Sequence, residues 1–173
     1  MRPRRWEPLR AALVVAAALL LQLALVADVR VGGVMPDLVL VVVVAAALTG
    51  GPDRGATYGF ATGLLYDLVV STPFGLTPLT YALVGYAVGR VGALVQRTSG
   101  WWPVLLAATA GAAQVVLYTS LGNLVGVAYP FADVPAIALV VAAGAALGVL
   151  PLMRALWWAH GHDEPDRLEV LFR

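Results

Sequence analysis

The chain has 173 residues, of which 61% are hydrophobic and 12% are charged, and its mean hydropathy is +0.86. Charged residues make up about a quarter of an ordinary soluble domain, so this composition excludes that class and indicates a membrane protein. A net charge of +1 without a basic face argues against nucleic acid as a partner, and the absence of cysteine excludes disulfides and thiolate metal sites.

Six apolar segments follow one another, and no polar stretch between them is long enough for a separate soluble domain. The valine-rich run over 39–44 lacks the alternating polarity of a barrel strand. Residues 1–160 are therefore predicted to form one all-α integral membrane domain, a bundle of six transmembrane helices, followed by a short polar tail over 161–173. The predicted helices cover about 11–27, 36–49, 55–70, 73–95, 101–128 and 134–158.

The first segment, from about Ala11 to Ala27, has a second interpretation as a cleaved signal peptide, because it follows arginines and ends in alanine. Gln22 interrupts its apolar core, however, and the charges of the later loops alternate between the two sides only if six spans are counted. The six-span interpretation is preferred for this reason.

The second and third segments are separated only by the turn 50–54, which predicts a tight helical hairpin. In the third segment small residues recur at every fourth position and end in Asp67, which forms one stripe along a helix. Such a stripe lets a second helix approach closely in lipid. The candidates for helix packing or a partner interface are Gly55, Gly59, Gly63, Asp67, Gly85 and Gly89.

The polar side chains of the apolar segments concentrate toward one end, the predicted outer half of the bundle. They predict an outward-facing polar groove for a ligand or a partner's helix, or else only hydrogen bonds between neighbouring helices. The groove candidates are Gln22, Thr77, Thr80, Tyr81, Tyr118 and Asn123.

Asp67 is the one acid that falls well inside a span, near its predicted outer end. Arg90 lies about 25 Å below the outer start of the next helix, at about 1.5 Å per residue, so the two cannot pair directly. Asp67 is expected to use Thr72, Thr77 or donors at the start of the fourth helix, or else Arg30 or another chain. Both a structural and a partner-binding role stay open.

No catalytic constellation stands out. The serines have no histidine within a segment to activate them, and no second buried acid accompanies Asp67 for acid–base work or proton relay. His160 and His162 lack a third fixed ligand, so no metal site is predicted. Residues 168–173 resemble a remnant of a viral-protease cleavage site and carry no functional inference. The chain is predicted to be no enzyme and to need no cofactor.

Short motifs follow one another in a definite order between residues 34 and 92. They are Pro36-Asp37-Leu38, Gly51 with Gly55, Tyr58-Gly59-Phe60, Gly63-Leu64-Leu65-Tyr66-Asp67, Thr72-Pro73-Phe74-Gly75-Leu76, Tyr81, Gly85-Tyr86 and Gly89-Arg90. This ordered set resembles the rod shape-determining protein MreD family.

The resemblance implies a small multi-pass protein of the bacterial plasma (inner) membrane with no known catalytic activity. It implies a place in the cell-elongation machinery, the elongasome, which maintains cell shape and supports peptidoglycan synthesis of the cell wall. The implied partners are MreC, MreB, the glycosyltransferase RodA and a class B penicillin-binding protein, besides membrane lipid.

Two functional hypotheses from different classes follow. In the first, the bundle is a scaffold that binds the transmembrane helix and periplasmic juxtamembrane part of MreC. In the second, the chain is a substrate-binding S component of an energy-coupling-factor vitamin transporter, since the MreD family is similar in fold to those components. Neighbouring genes distinguish the two: an MreC-like coiled-coil protein or paired ATPases.

Orientation follows from the arginines, because ten of the eleven basic residues fall on one side when the N-terminus is inside. All five tryptophans fall at the same predicted interface. We therefore expect reporter fusions at Arg173 to be cytoplasmic and to count six spans. A periplasmic Arg173 or an odd number of spans would contradict this topology.

Overall fold

The computed structural model describes residues 7–28, 34–70, 75–95, 100–127 and 131–159, and these residues form six α-helices and one 3-10 helix. The all-helical class expected from the sequence is confirmed for this part of the chain. The α-helices are α1 (Glu7–Asp28), α2 (Leu38–Gly50), α3 (Pro52–Val69), α4 (Leu76–Leu94), α5 (Trp102–Leu124) and α6 (Val134–Ala159), and the 3-10 turn Phe131–Asp133 precedes α6.

Helix α2 lies at the centre of the bundle. Every residue from Val39 to Leu48 is at most 6% exposed, which fits a helix that is apolar on all sides. The other five helices all contact α2, and neighbours around it follow the order α3, α4, α5, α6 and α1. The core is therefore a single helix surrounded by five others.

Glycines bring α3 and α4 into backbone contact. A Cβ atom added at Gly59 would lie less than 3.0 Å from the carbonyl group of Tyr81, and one at Gly63 less than 3.0 Å from the Pro78 backbone. Gly55 and Gly85 face each other's carbonyl oxygens in the same way. No side chain larger than hydrogen fits at these positions, so the two helices pack at the distance that glycine allows.

Close contacts at glycine also occur elsewhere in the described bundle. Gly89 abuts the backbone of Pro52, and an added Cβ at Gly111 would lie 3.0 Å from the Val141 carbonyl oxygen, which joins α5 to α6. At Gly148 it would lie 3.2 Å from Val41 of the central helix.

The starts of two helices, α3 and α4, differ from the predicted helix bounds. The turn between α2 and α3 is reduced to Gly51, whose φ of 85° favours glycine, and α3 begins at Pro52 rather than near residue 55. Proline suits the first turn of a helix because its missing N–H has no helical partner there. Helix α4 begins after Gly75, whose φ is 96°.

The described bundle exposes large apolar side chains and buries several polar ones, which is the opposite of a soluble protein. Large apolar side chains such as Leu20, Leu68, Leu139 and Leu147 are 66–81% exposed. The buried polar side chains are Gln22, Thr62, Asp67, Thr77, Thr80, Gln114 and Thr119. A surface of this kind is suited to lipid rather than to water.

Within the described residues, α5 and α6 are the two helices that are long and apolar enough to cross a membrane by themselves. Six spans are predicted from the sequence, so by this measure the membrane-spanning character of the other four helices is not confirmed. In α4, Thr77, Thr80, the glycines and Arg90 dilute the apolar character. Helix α2 has only 13 residues, and the charges and glycines of α3 lower its hydropathy.

One end of the bundle is marked by a cation–π contact, in which the Arg10 guanidinium lies 5.0 Å from the centre of the Trp158 ring. This contact joins the start of α1 to the end of α6. The first residues of α2 and α4 lie at the opposite end, where the polar side chains gather.

Replacing Gly59 or Gly63 with leucine should force α3 and α4 apart and lower the free energy of unfolding by about 1–3 kcal/mol. The measurement is thermal denaturation of the purified protein in detergent. Ala61→Leu is the control, because Ala61 is exposed on the same helix and should tolerate the larger side chain. Glycine variants as stable as the Ala61 variant would contradict the close contact.

Candidate functional site

A pocket of about 260 Å³ lies at the end of the bundle remote from Arg10 and Trp158. It is formed where the start of α2 meets α3, α4, α5 and α6. Polar side chains from four of these five elements line it, and three aliphatic side chains complete the wall. The lining residues are Asp37, Tyr66, Thr77, Tyr81, Gln114, Val115, Tyr118, Ile137 and Val141.

Asp37 is held in place by the start of the central helix. One carboxylate oxygen accepts the Leu40 backbone N–H at 2.9 Å, so Asp37 acts as the N-cap of α2. The other oxygen accepts a hydrogen bond from the Tyr81 hydroxyl, which fixes the carboxylate against α4. The positive end of the α2 dipole favours a negative charge at this position.

Two polar atoms in the pocket lining have no hydrogen-bond partner in the described structure. They are the hydroxyl oxygen of Thr77 and the side-chain oxygen Oε1 of Gln114. Thr77 is 2% exposed and Gln114 is 4% exposed. Leaving a buried polar atom unpaired costs about 1–3 kcal/mol, so a hydrogen-bond donor that came within reach of these atoms would be stabilised.

The orientation of the Gln114 amide follows from its neighbours. The Thr80 hydroxyl donates to the Thr77 carbonyl oxygen at 3.1 Å, and it therefore accepts from Gln114 Nε2 at 2.9 Å. The amide nitrogen is thus committed to Thr80, and Oε1 is left as an acceptor in the pocket lining.

Four of the six groove candidates lie in or next to the pocket, and two do not. Thr77, Tyr81 and Tyr118 line the pocket, and Thr80 lies directly behind it through its bond to Gln114. Gln22 and Asn123 are not among the lining residues. Gln22 is instead buried between α1 and α2, where it accepts from Leu38 N at 2.8 Å and donates to the Pro36 carbonyl oxygen at 3.1 Å.

Sequence reasoning did not assign Asp37, Tyr66 or Gln114 to the groove. Gln114 is an amide in the otherwise apolar middle of α5, and Asp37 directly precedes the valine run of α2. A polar side chain in or beside an apolar segment is a signal that the sequence shows for both residues. The sequence does not show that the two side chains meet in one pocket, because they are far apart in the chain.

Asp67 lies outside the pocket lining and is 6% exposed. Its Oδ2 accepts the backbone N–H of Gly75 at 2.7 Å, so the start of the fourth helix supplies a donor. Thr77 does not donate a hydrogen bond to Asp67, because the Thr77 hydroxyl makes no hydrogen bond in the structure. Thr72 and Arg30, the other donors considered, lie outside the described residues.

Hydroxyl, amide, carboxyl and aliphatic groups line the pocket. Among its described lining residues there is no histidine, cysteine or serine, and there is one carboxyl group. Among the described residues no group of three or more histidine, cysteine, aspartate or glutamate side chains could hold a metal ion. The chemistry available is hydrogen bonding by hydroxyl and amide groups, one carboxyl group and three tyrosine rings.

A second, apolar cleft of about 200 Å³ opens between α4 and α5. Three of its lining residues, Ala87, Thr109 and Ala113, are exposed and small. The full lining is Val84, Ala87, Val88, Val91, Leu106, Thr109, Ala110 and Ala113. Arg90 is an exposed residue of α4 toward the end marked by Arg10.

Comparison with known proteins identifies the family. The family model described as rod shape-determining protein MreD matches residues 7–147, which include most of the six helices, and the chain belongs to this family. The family is a membrane protein family with a role in rod shape determination, and it is not a known enzyme family. No curated protein and no solved structure matches the chain.

Asp67→Asn should be tolerated, because an amide oxygen can still accept the Gly75 N–H. A helix–helix hydrogen bond in a membrane is worth about 0.6 kcal/mol and at most about 2, which bounds the loss in the free energy of unfolding. Asp67→Leu leaves the Gly75 N–H unpaired and should destabilise more. Thermal denaturation measures both variants. Equal effects of the two changes would contradict the structural role.

Proposed function

We propose that the chain acts as a non-catalytic membrane scaffold of the bacterial cell-elongation machinery, with six spans in the inner membrane. Both termini are then cytoplasmic. The observation that carries the proposal is the family match over residues 7–147, because rod shape determination is the role of that family. The physical features of the bundle support the finer statements one by one.

The six-span arrangement is supported by the exposed apolar surface and by the buried polar groups. Helix α2, with 13 residues and a length of about 20 Å, is shorter than the hydrocarbon core of about 30 Å. It is surrounded by the other five helices, however, and so does not have to match the bilayer thickness at the lipid boundary.

The orientation is supported by the end of the bundle that carries Arg10 and Trp158. Tryptophan anchors a helix bundle at a membrane–water interface, and arginine is in excess on the cytoplasmic side. The pocket then faces the periplasmic side, where the juxtamembrane part of a partner is accessible.

We assign the transmembrane helix of MreC to the cleft between α4 and α5. Helices associate in lipid through close packing of small side chains, and the cleft presents Ala87, Thr109 and Ala113 to the lipid side. The glycine stripe of α3 is occupied by α4 in the described bundle, which leaves this cleft as the better packing surface for a partner. Through MreC the scaffold would reach MreB, RodA and a class B penicillin-binding protein and so support peptidoglycan synthesis.

A second function, that of a vitamin-binding S component, is favoured by one observation, the pocket with two unpaired polar atoms. Its volume of about 260 Å³ is below the range of about 300–1,000 Å³ that is usual for drug-sized ligands. The scaffold is therefore the first choice. Paired ATPase genes beside this gene would make the S component the preferred function.

Ala113→Leu should fill the cleft and reduce recovery of MreC in detergent co-purification by about tenfold, which corresponds to a loss of about 1.4 kcal/mol. Ala143→Leu is the matched control, because Ala143 is an exposed alanine on α6, outside the cleft. Thermal denaturation should show both variants equally stable. Equal recovery of MreC with the two variants would contradict the assignment of the cleft.

A further inference from the structure

We propose that the pocket at the start of α2 binds an alkylammonium group, a positively charged N–H donor on a short apolar stem. The proposal goes beyond the scaffold function and does not depend on it, since the pocket and the α4–α5 cleft have different linings. It rests on the unpaired atoms, the charge and the shape of the pocket.

The unpaired atoms select a hydrogen-bond donor as ligand. Gln114 Oε1 can only accept, because the amide nitrogen is already bound to Thr80. The Thr77 hydroxyl can accept as well. An ammonium group carries three donors and no acceptor, which matches two acceptors and a carboxylate placed around one volume.

The charge selects a cation. Among the described lining residues Asp37 is the one acidic side chain, and its two oxygens keep acceptor capacity beyond the bonds from Tyr81, Leu40 and Val39. No arginine is among the described residues that line it. A cationic donor that enters the pocket would form a charge-assisted hydrogen bond with this carboxylate, which is the strong form of the contact.

The remaining wall suits an organic cation better than a metal ion. Tyr66, Tyr81 and Tyr118 contribute aromatic rings, which attract cations, while aliphatic side chains of α5 and α6 give an apolar surface for a stem. A divalent cation prefers several carboxylate or carbonyl oxygens, and only one carboxylate is present. The volume of about 260 Å³ corresponds to about nine water molecules at about 30 Å³ each, which is enough for a short alkylamine.

The test measures binding of n-butylammonium to the full-length protein in detergent by thermal shift and calorimetry. A saturable rise of the denaturation midpoint, with a Kd tighter than about 1 mM, is expected. n-Butanol and pentanoate have the same butyl stem without the positive charge and should give no such rise. Binding of butanol or pentanoate as tight as that of the amine would overturn the proposal.

Asp37→Asn should weaken the amine about ten- to hundredfold, as expected for a hydrogen bond to a charged group. Asp133→Asn is the matched control, because Asp133 is an exposed acid at the start of α6 and does not line the pocket. It should bind like the original protein. An equal loss in both variants would show a general charge effect and overturn the proposal.

Thr77→Val separates binding from folding. Its hydroxyl is buried and unpaired, so a methyl group in its place should leave the empty protein equally or more stable. The same change should weaken the amine about two- to tenfold, because one acceptor is lost. Unchanged affinity in this stable variant would count against the site even if Asp37→Asn failed to fold.

The source of the ammonium group is tested by comparing n-butylammonium with Nα-acetyl-lysine amide, which keeps the side-chain ammonium group free. Tighter binding of the lysine derivative assigns the pocket to a lysine side chain of a partner protein, and tighter binding of the free amine assigns it to a small soluble amine. If neither binds with saturation, water alone occupies the pocket and the proposal is wrong. Recovery of MreC with Ala113→Leu is measured separately, so the scaffold function and this site can fail independently.

Discussion

Burial of the central helix on every side is the constraint on which the described bundle depends. The residues Val39 to Leu48 carry no polar side chain and are almost completely covered, so five other helices must surround them. The backbone of α2 is satisfied within the helix, but its first N–H groups need partners that other elements provide. Gln22 of α1 binds the Leu38 N–H, and Asp37 binds the Leu40 N–H. The requirement to cap α2 thus places an amide and a carboxylate at one end of the bundle.

Small residues decide how closely the surrounding helices pack. On α3 and α4 the glycines allow backbone contact, whereas α4 and α5 meet through longer side chains such as the pair Thr80 and Gln114. The apolar cleft opens at this junction of α4 and α5, and the polar pocket also has lining residues on both helices.

The pocket and the cleft suit different partners for a physical reason. The cleft opens between α4 and α5 on a lipid-facing surface, where close packing is the main source of affinity. The pocket is lined by acceptors that α2, α4 and α5 hold in place, where an unpaired polar atom is costly and a donor is strongly favoured. The proposed partner helix and the proposed ammonium group would therefore occupy different surfaces of the bundle.

The sequence by itself determined the features that repeat along one segment. Composition predicted a membrane class, the apolar runs predicted helices, and the four-residue spacing of Gly55, Gly59 and Gly63 predicted one smooth helix face, because helical periodicity is local. The tertiary structure decided what that face meets and which polar groups converge. Tyr81 reaches Asp37, and Gln114 reaches Thr80, across long stretches of chain, while Gln22 turns to cap α2 instead of lining the pocket. Such contacts depend on the rotation and order of the helices around α2, and the spacing of residues within a single segment does not specify either of them.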